Sequence, residues 1–139
     1  MKTLIVSGGK IDRDFSCSYI KEREFDLIIA ADGGLAFLDE INLVPHMLIG
    51  DFDTIDKRIL DRYLGMKDMK VRRFIPEKDY TDTHIAVTEA VDLGSSEIHI
   101  LGGTGSRIDH MLSNIHILLI PLKKGIPCYL VDKNNRRCV

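Results

Sequence analysis

Six short runs rich in Val, Ile and Leu recur along the chain: Leu4 to Val6, Leu27 to Ala31, Met47 to Ile49, Val71 to Ile75, Ile98 to Leu101 and Cys128 to Val131. Runs of this kind, apolar without strict alternation, belong to strands buried on both faces. Between them the apolar positions adopt helical spacing: Leu35, Leu38 and Ile41; Ile55, Ile59, Leu60, Tyr63 and Leu64; Ala86, Val87, Ala90 and Val91; Ile108, Met111, Leu112, Ile115, Leu118 and Leu119. A further helix is expected around Asp14 to Arg23. Helix stops agree with this parsing, since Pro45, Gly65, Gly94 and Pro121 follow the second to fifth helices. Alternation of strand and helix predicts an α/β fold, a mostly parallel six-stranded sheet with helices on both faces, Rossmann-like and three-layered.

A length of 139 residues suits one domain, read as 1–132, with the charged tail from Asp132 to Arg137 beginning a linker over 133–139. The 19 basic and 21 acidic residues leave a net charge of -2, which gives no polycationic footprint and disfavours nucleic acid as a partner. The opening Met1 to Gly9 holds too short an apolar run for a secretory signal, and no stretch is long enough to span a membrane, so a cytoplasmic location is expected. Cys17, Cys128 and Cys138 are odd in number and far apart, which fits free thiols rather than a disulfide framework or a zinc site. His46, His84, His99 and His116 form no metal-binding spacing, and no Ser or Cys sits in a G-x-S-x-G elbow.

In an open parallel sheet, ligands bind beyond the carboxyl ends of the strands. The polar and glycine-rich segments fall there: Gly8-Gly9 after the first strand, Asp32-Gly33-Gly34 after the second, Asp51-Phe52-Asp53-Thr54 after the third, Lys78 to Asp82 beyond the fourth, and Gly102 to Asp109 after the fifth. Asp51 and Asp53 share one side if the backbone stays extended. At roughly 7 Å and an effective dielectric near 20 their repulsion is about 2 kcal/mol, which a hard cation would reverse. Gly33-Gly34 and Gly102-Gly103-Thr104-Gly105 permit close backbone approach to phosphate, or serve as tight strand-to-helix turns. They match neither the dinucleotide fingerprint nor the P-loop. Thr81 suits a helix N-cap with Asp82 in the first turn; in a metal site, Asp82 or Asp79 supplies a third carboxylate and Lys78 meets phosphate. Arg107 and Asp109 straddle the start of the last helix, either as a phosphate grip with a substrate-orienting carboxylate or as a solvated arginine with a cap. The neighbouring His110 is read as structural.

Taken in order, Ala31-Asp32-Gly33-Gly34, Pro45 with Ile49-Gly50-Asp51-Phe52-Asp53-Thr54, Lys78-Asp79-Tyr80-Thr81-Asp82, and Gly102-Gly103-Thr104-Gly105-Ser106-Arg107-Ile108-Asp109-His110 resemble the catalytic domain of the thiamine pyrophosphokinases, over about residues 1–132. The resemblance implies transfer of diphosphate from ATP to the hydroxyethyl oxygen of thiamine, giving thiamine diphosphate and AMP, with magnesium and a homodimer. By the same resemblance Asp51, Asp53 and Asp82 are the magnesium carboxylates. Asp32, Gly33, Gly34, Asp79, Thr81, Gly102, Gly103 and Thr104 line the ATP site, Lys78 and Arg107 meet phosphates, and Asp109 approaches thiamine. Asp82 and Asp109 are the candidates for accepting the hydroxyl proton.

His46 departs from the family, which carries Asp directly after the proline at this position. The family's catalytic domain is followed by a smaller β-rich domain that helps to hold thiamine, so the expectation is that 133–139 lead toward a domain this chain lacks and that magnesium nucleotide binds better than it turns over. Two rival readings stand beside this one. The first is a nucleotide-binding module without turnover. The second is an aspartate-nucleophile phosphatase, since Asp51-Phe52-Asp53-Thr54 resembles D-x-D-x-[TV], although Thr54 falls one position early.

Overall fold

The computed structural model describes residues 1–50, 52, 55–72, 81–103, 115–133 and 136–138, the last three as backbone. Strands β1 (Lys2–Val6), β2 (Leu27–Ala31), β3 (Met47–Ile49), β4 (Lys70–Arg72), β5 (Glu97–Leu101) and β6 (Cys128–Val131) run parallel. With the antiparallel β7 (Arg136–Cys138) they form one sheet in the order β4-β3-β2-β1-β5-β6-β7. The chain winds outward from β1 to β4 through α1 (Arg13–Glu22), α2 (Gly34–Glu40) and α3 (Lys57–Leu64). It then returns through α4 (Asp82–Asp92) to place β5 on the free side of β1. That reversal makes the gap between β1 and β5 the topological switch point.

Both faces of the sheet are covered, which is why the strands read as near-continuous apolar runs. On one face Leu4, Val6, Ile28, Ala30 and Leu48 pack with Tyr19 of α1, Leu35, Phe37 and Leu38 of α2, and Tyr63 of α3. On the other, Ile5, Ile29, Ile49, Ile98 and Ile100 pack with Ala86, Val87 and Ala90 of α4 and with Ile117 and Leu118. The strict alternation of Leu4, Ile5 and Val6 between the two clusters is the strand period made visible. Local signals set the helix starts. Asp12 caps α1 by accepting from the Phe15 N–H at 2.9 Å, and Asp56 caps α3 by accepting from Arg58 N–H at 2.8 Å.

Two elements differ from expectation. Pro121 does not end a helix: residues 115–117 are helical, the chain turns at Leu118, and Pro121 lies in the first turn of a new short helix α5 (Leu119–Leu122). A first-turn proline costs no intrahelical hydrogen bond, so the restart accommodates it. The tail read as the beginning of a linker carries β7, paired with β6 in the register Tyr129 to Cys138. Of the fourth expected strand, 70–72 is the paired part and 73–75 lies outside the described residues. His99, buried in the β5 layer, is satisfied by the Tyr19 hydroxyl on one ring nitrogen and by Glu97 Oε2 at 2.7 Å on the other. Among the described residues no helix is long and apolar enough to cross a membrane.

Candidate active site

The carboxyl edge of the sheet is built by backbone that approaches unusually closely. Ser7 N–H donates to Leu101 C=O at 2.8 Å and Gly9 N–H to Gly102 C=O at 2.7 Å, which ties the loops after β1 and β5 together across the switch point. A Cβ on Gly34 would lie 1.9 Å from the Val6 carbonyl oxygen, so α2 meets the end of β1 backbone to backbone. Next along the edge, Asp32 takes a left-handed conformation at φ 46°, with its N–H bonded to Ile49 C=O at 2.8 Å. Asp tolerates that region better than most residues.

Gly50, at φ 137°, donates its N–H to Arg72 C=O at 3.1 Å. A Cβ there would stand 3.1 Å from Asp82 Oδ2 and 3.3 Å from both Cα and Cβ of Asp32. Glycine at 50 therefore does two things: it permits the backbone angle, and it leaves open the space between Asp82 Oδ2 and the Asp32 backbone, which come from different elements. Asp82 is the first residue of α4, and the Thr81 hydroxyl caps that helix by accepting from His84 N–H at 3.1 Å. Burial pushes the His84 imidazole below its ordinary value, so the neutral form is favoured two residues from the carboxylate.

The extended backbone assumed for Asp51-Phe52-Asp53 does not hold at its centre. Phe52 is left-handed at φ 64°, 3% exposed within the cluster on the α1 to α3 face, and it donates its N–H to Asp32 Oδ1 at 3.2 Å. The cause is the apolar side chain: burying Phe52 turns the strand end inward against a backbone preference. Asp51, Asp53, Lys78, Asp79, Thr104, Arg107, Asp109 and His110 lie outside the described residues. Asp32, Gly33, Gly34, Thr81, Asp82, Gly102 and Gly103 all fall on the same carboxyl edge, Gly33 packing its Cα within 3.2 Å of a Cβ built on Gly8.

Sequence reasoning passed over two residues at this edge. Ser7 and Thr83 share a buried hydrogen bond, 2.7 Å between hydroxyl oxygens, linking the end of β1 to the first turn of α4. Their positions, one directly after an apolar strand and one directly after a candidate metal carboxylate, were the available signal. His46 lies elsewhere, at the amino end of β3. Its ring Nδ1 accepts from Ile28 N–H at 3.0 Å and its own N–H donates to Ile28 C=O at 2.8 Å. The departure from the family's Asp thus sits across the sheet from the site and supplies an acceptor that a carboxylate also supplies.

The family model described as thiamin pyrophosphokinase, catalytic domain, matches residues 20–130. The chain belongs to this family. It is 34% identical over 136 residues to the thiamine pyrophosphokinase of Bacillus subtilis strain 168, covering 97% of this chain and 63% of that protein. It is 35% identical over 97 residues to thiamin pyrophosphokinase 1 of Caenorhabditis elegans, covering 66% of this chain and 37% of that one. The crystal structure of the Bacillus subtilis thiamine pyrophosphokinase shares the fold with a TM-score of 0.81 at 32% identity, over 96% of this chain and 61% of that chain. The chain therefore spans less than two thirds of the length of these thiamine pyrophosphokinases. Among the described residues no three His, Cys, Asp or Glu gather closely enough to hold a metal. Even so, Asp82, whose Oδ2 faces Gly50, and Asp32, whose backbone borders the same glycine, carry hard oxygen donors of the kind magnesium takes.

Proposed function

We propose that the chain is the nucleotide-binding, catalytic part of a thiamine diphosphokinase, using ATP as donor and thiamine as acceptor. The observation that supports it is that Asp32 and Asp82 both border Gly50 at the carboxyl edge of the sheet, in a chain of the thiamin pyrophosphokinase family. In this reading the thiamine hydroxyethyl oxygen attacks the β-phosphorus of ATP in line with the bridging oxygen. One O–P bond forms and the bond from β-phosphorus to that bridging oxygen breaks, so AMP leaves with the oxygen and thiamine diphosphate remains. The hydroxyl proton passes to a carboxylate, with Asp82 and Asp109 as the candidates, and no covalent enzyme intermediate is formed. Asp51, Asp53 and Asp82 would hold magnesium, which would supply charge neutralisation of the transferring diphosphate. Lys78 and Arg107 meet phosphate oxygens, the glycine turns at 33–34 and 102–103 let backbone approach the nucleotide, and a homodimer is the assembly.

Calorimetry on the 139-residue chain with α,β-methylene-ATP and with thiamine, each with and without magnesium, tests the reading. Magnesium-dependent nucleotide binding that falls at least about tenfold in Asp82→Asn is expected. Absence of such binding overturns it. Nucleotide binding without thiamine binding or turnover points to the binding module, and vigorous formation of thiamine diphosphate with stoichiometric AMP contradicts the expectation that binding exceeds turnover.

A further inference from the structure

We propose that the buried Ser7–Thr83 hydroxyl pair is the device that positions Asp82, so that metal affinity depends on two residues that do not touch the metal; this rests on Asp82 being a metal carboxylate. Ser7 is 5% exposed and Thr83 6% exposed, and their oxygens are 2.7 Å apart across 76 residues of sequence. Ser7 is itself fixed. Its N–H is bonded to Leu101 C=O at 2.8 Å, and its carbonyl oxygen lies 2.2 Å from where a Cβ on Gly102 would stand, so the end of β5 holds its backbone closely. Thr83 is the residue after Asp82, in the first turn of α4.

α4 packs on the sheet through the buried Ala86, Val87 and Ala90, with the partly buried Ile85 and Val91 against the same cluster. Apolar contact of this kind is non-directional. Sliding by one residue moves the Asp82 carboxylate by about 1.5 Å, whereas a metal site tolerates displacements of only about 0.5 Å. A hydrogen bond is directional, and the one between Ser7 and Thr83 ties the first turn of α4 to the end of β1. An apolar pair would fill this space equally well, so it is the axial register that explains hydroxyls on both partners.

The test measures Mn²⁺ affinity by electron paramagnetic resonance in the presence of α,β-methylene-ATP, together with urea midpoints, on the full 139-residue chain. Thr83→Val and Ser7→Ala are each expected to weaken Mn²⁺ binding about tenfold, the scale set by residues that orient metal ligands. Thr83→Ser, which keeps the hydroxyl, is expected to stay within about twofold of the parent. In an Asp82→Asn background Thr83→Val is expected to add no further loss, because the group being positioned is gone. A lowered urea midpoint for both Thr83→Val and Ser7→Ala with Mn²⁺ affinity unchanged overturns the proposal, as does an undiminished Thr83→Val loss in the Asp82→Asn background. Should Asp82→Asn itself leave Mn²⁺ affinity intact, the reading of Asp82 fails first and this proposal with it.

Discussion

Replacing Gly34 with alanine sets two opposed effects against each other and has a sign that the structure decides. In an ordinary helix the change stabilises by about 1 kcal/mol, because alanine is the better helix former and loses less backbone entropy on folding. Gly34 is the first residue of α2, and its added Cβ would stand 1.9 Å from the Val6 carbonyl oxygen, 2.5 Å from its carbon and 3.1 Å from Ser7 N. All three are backbone atoms of a strand end whose side chains are fully buried, so no rotamer change relieves the clash. Reaching ordinary contact requires α2 to withdraw by at least about 1 Å, loosening the fully buried Leu35 and Leu38 against the sheet. Overpacking of this kind costs about 1–3 kcal/mol or more, which exceeds the propensity gain. Urea denaturation is expected to show Gly34→Ala less stable by about 2 kcal/mol, or not folded. Gly65→Ala is the control. Gly65 caps α3 at φ -80° with its nearest neighbour 3.5 Å from the new Cβ, so it is expected to be neutral or stabilising by up to about 1 kcal/mol. A Gly34→Ala chain as stable as the parent refutes the close approach of α2 to β1.

Two further outcomes follow from titrating groups. Burial lowers His84 from 6.5, so below that pH the unfolded state binds more protons than the folded state and stability falls as the pH drops toward the folded value; urea midpoints at acidic and neutral pH are expected to converge in His84→Gln, and an unchanged slope counts against it. Tyr63 is raised above 10.0 by burial and by its hydroxyl donating to Asp39 at 3.0 Å, so its contribution is present below pH 10.0 and is lost as pH rises through the folded value. Tyr63→Phe is expected to cost about 1 kcal/mol near neutrality, since Arg62 still pairs with Asp39 at 3.1 Å, and to flatten the alkaline loss seen by thermal melts.

Strand positions were legible because a doubly covered sheet demands contiguous apolar residues, and β2, β3 and β6 occupy the expected residues. The antiparallel β7 was not legible, because Arg136 and Arg137 sit in an edge strand, where a charged side chain carries no burial signal. Pro121 misled for a related reason. A proline marks a break in a helix, but only tertiary packing decides whether it ends one helix or begins another. At the site, the order of Asp32, Asp82 and the glycine turns was readable as residue type after strand, whereas the meeting point over Gly50 depends on two crossovers bringing β2, β3 and α4 together. Ser7 and Thr83 each stood next to a readable motif, but a hydrogen bond joining residues 76 apart has no local pattern that pairs them. His46 stood out as a departure from the family, yet its contacts lie at the amino end of β3, where the sheet asks for a hydrogen-bond acceptor rather than for a metal ligand.

The carboxyl edge stores backbone strain in a particular way. Asp32 and Phe52, left-handed at φ 46° and 64°, are joined by the Phe52 N–H donating to Asp32 Oδ1. For a residue as bulky as Phe this conformation costs roughly 1–2 kcal/mol. Burying the ring to 3% exposure, next to Ile55 at 9%, offsets that cost, since a buried Phe contributes about 1.5–3 kcal/mol. The apolar core on the α1 to α3 face therefore stabilises the strained turn that lies in sequence between Asp51 and Asp53. On the opposite face the Ser7–Thr83 bond ties down the helix that begins with Asp82. Carboxylates that repel one another when no cation is bound have to be held by something other than their own attraction. In the proposed site, the buried Phe52 ring lies on one side of the sheet and the buried Ser7–Thr83 hydroxyl pair on the other.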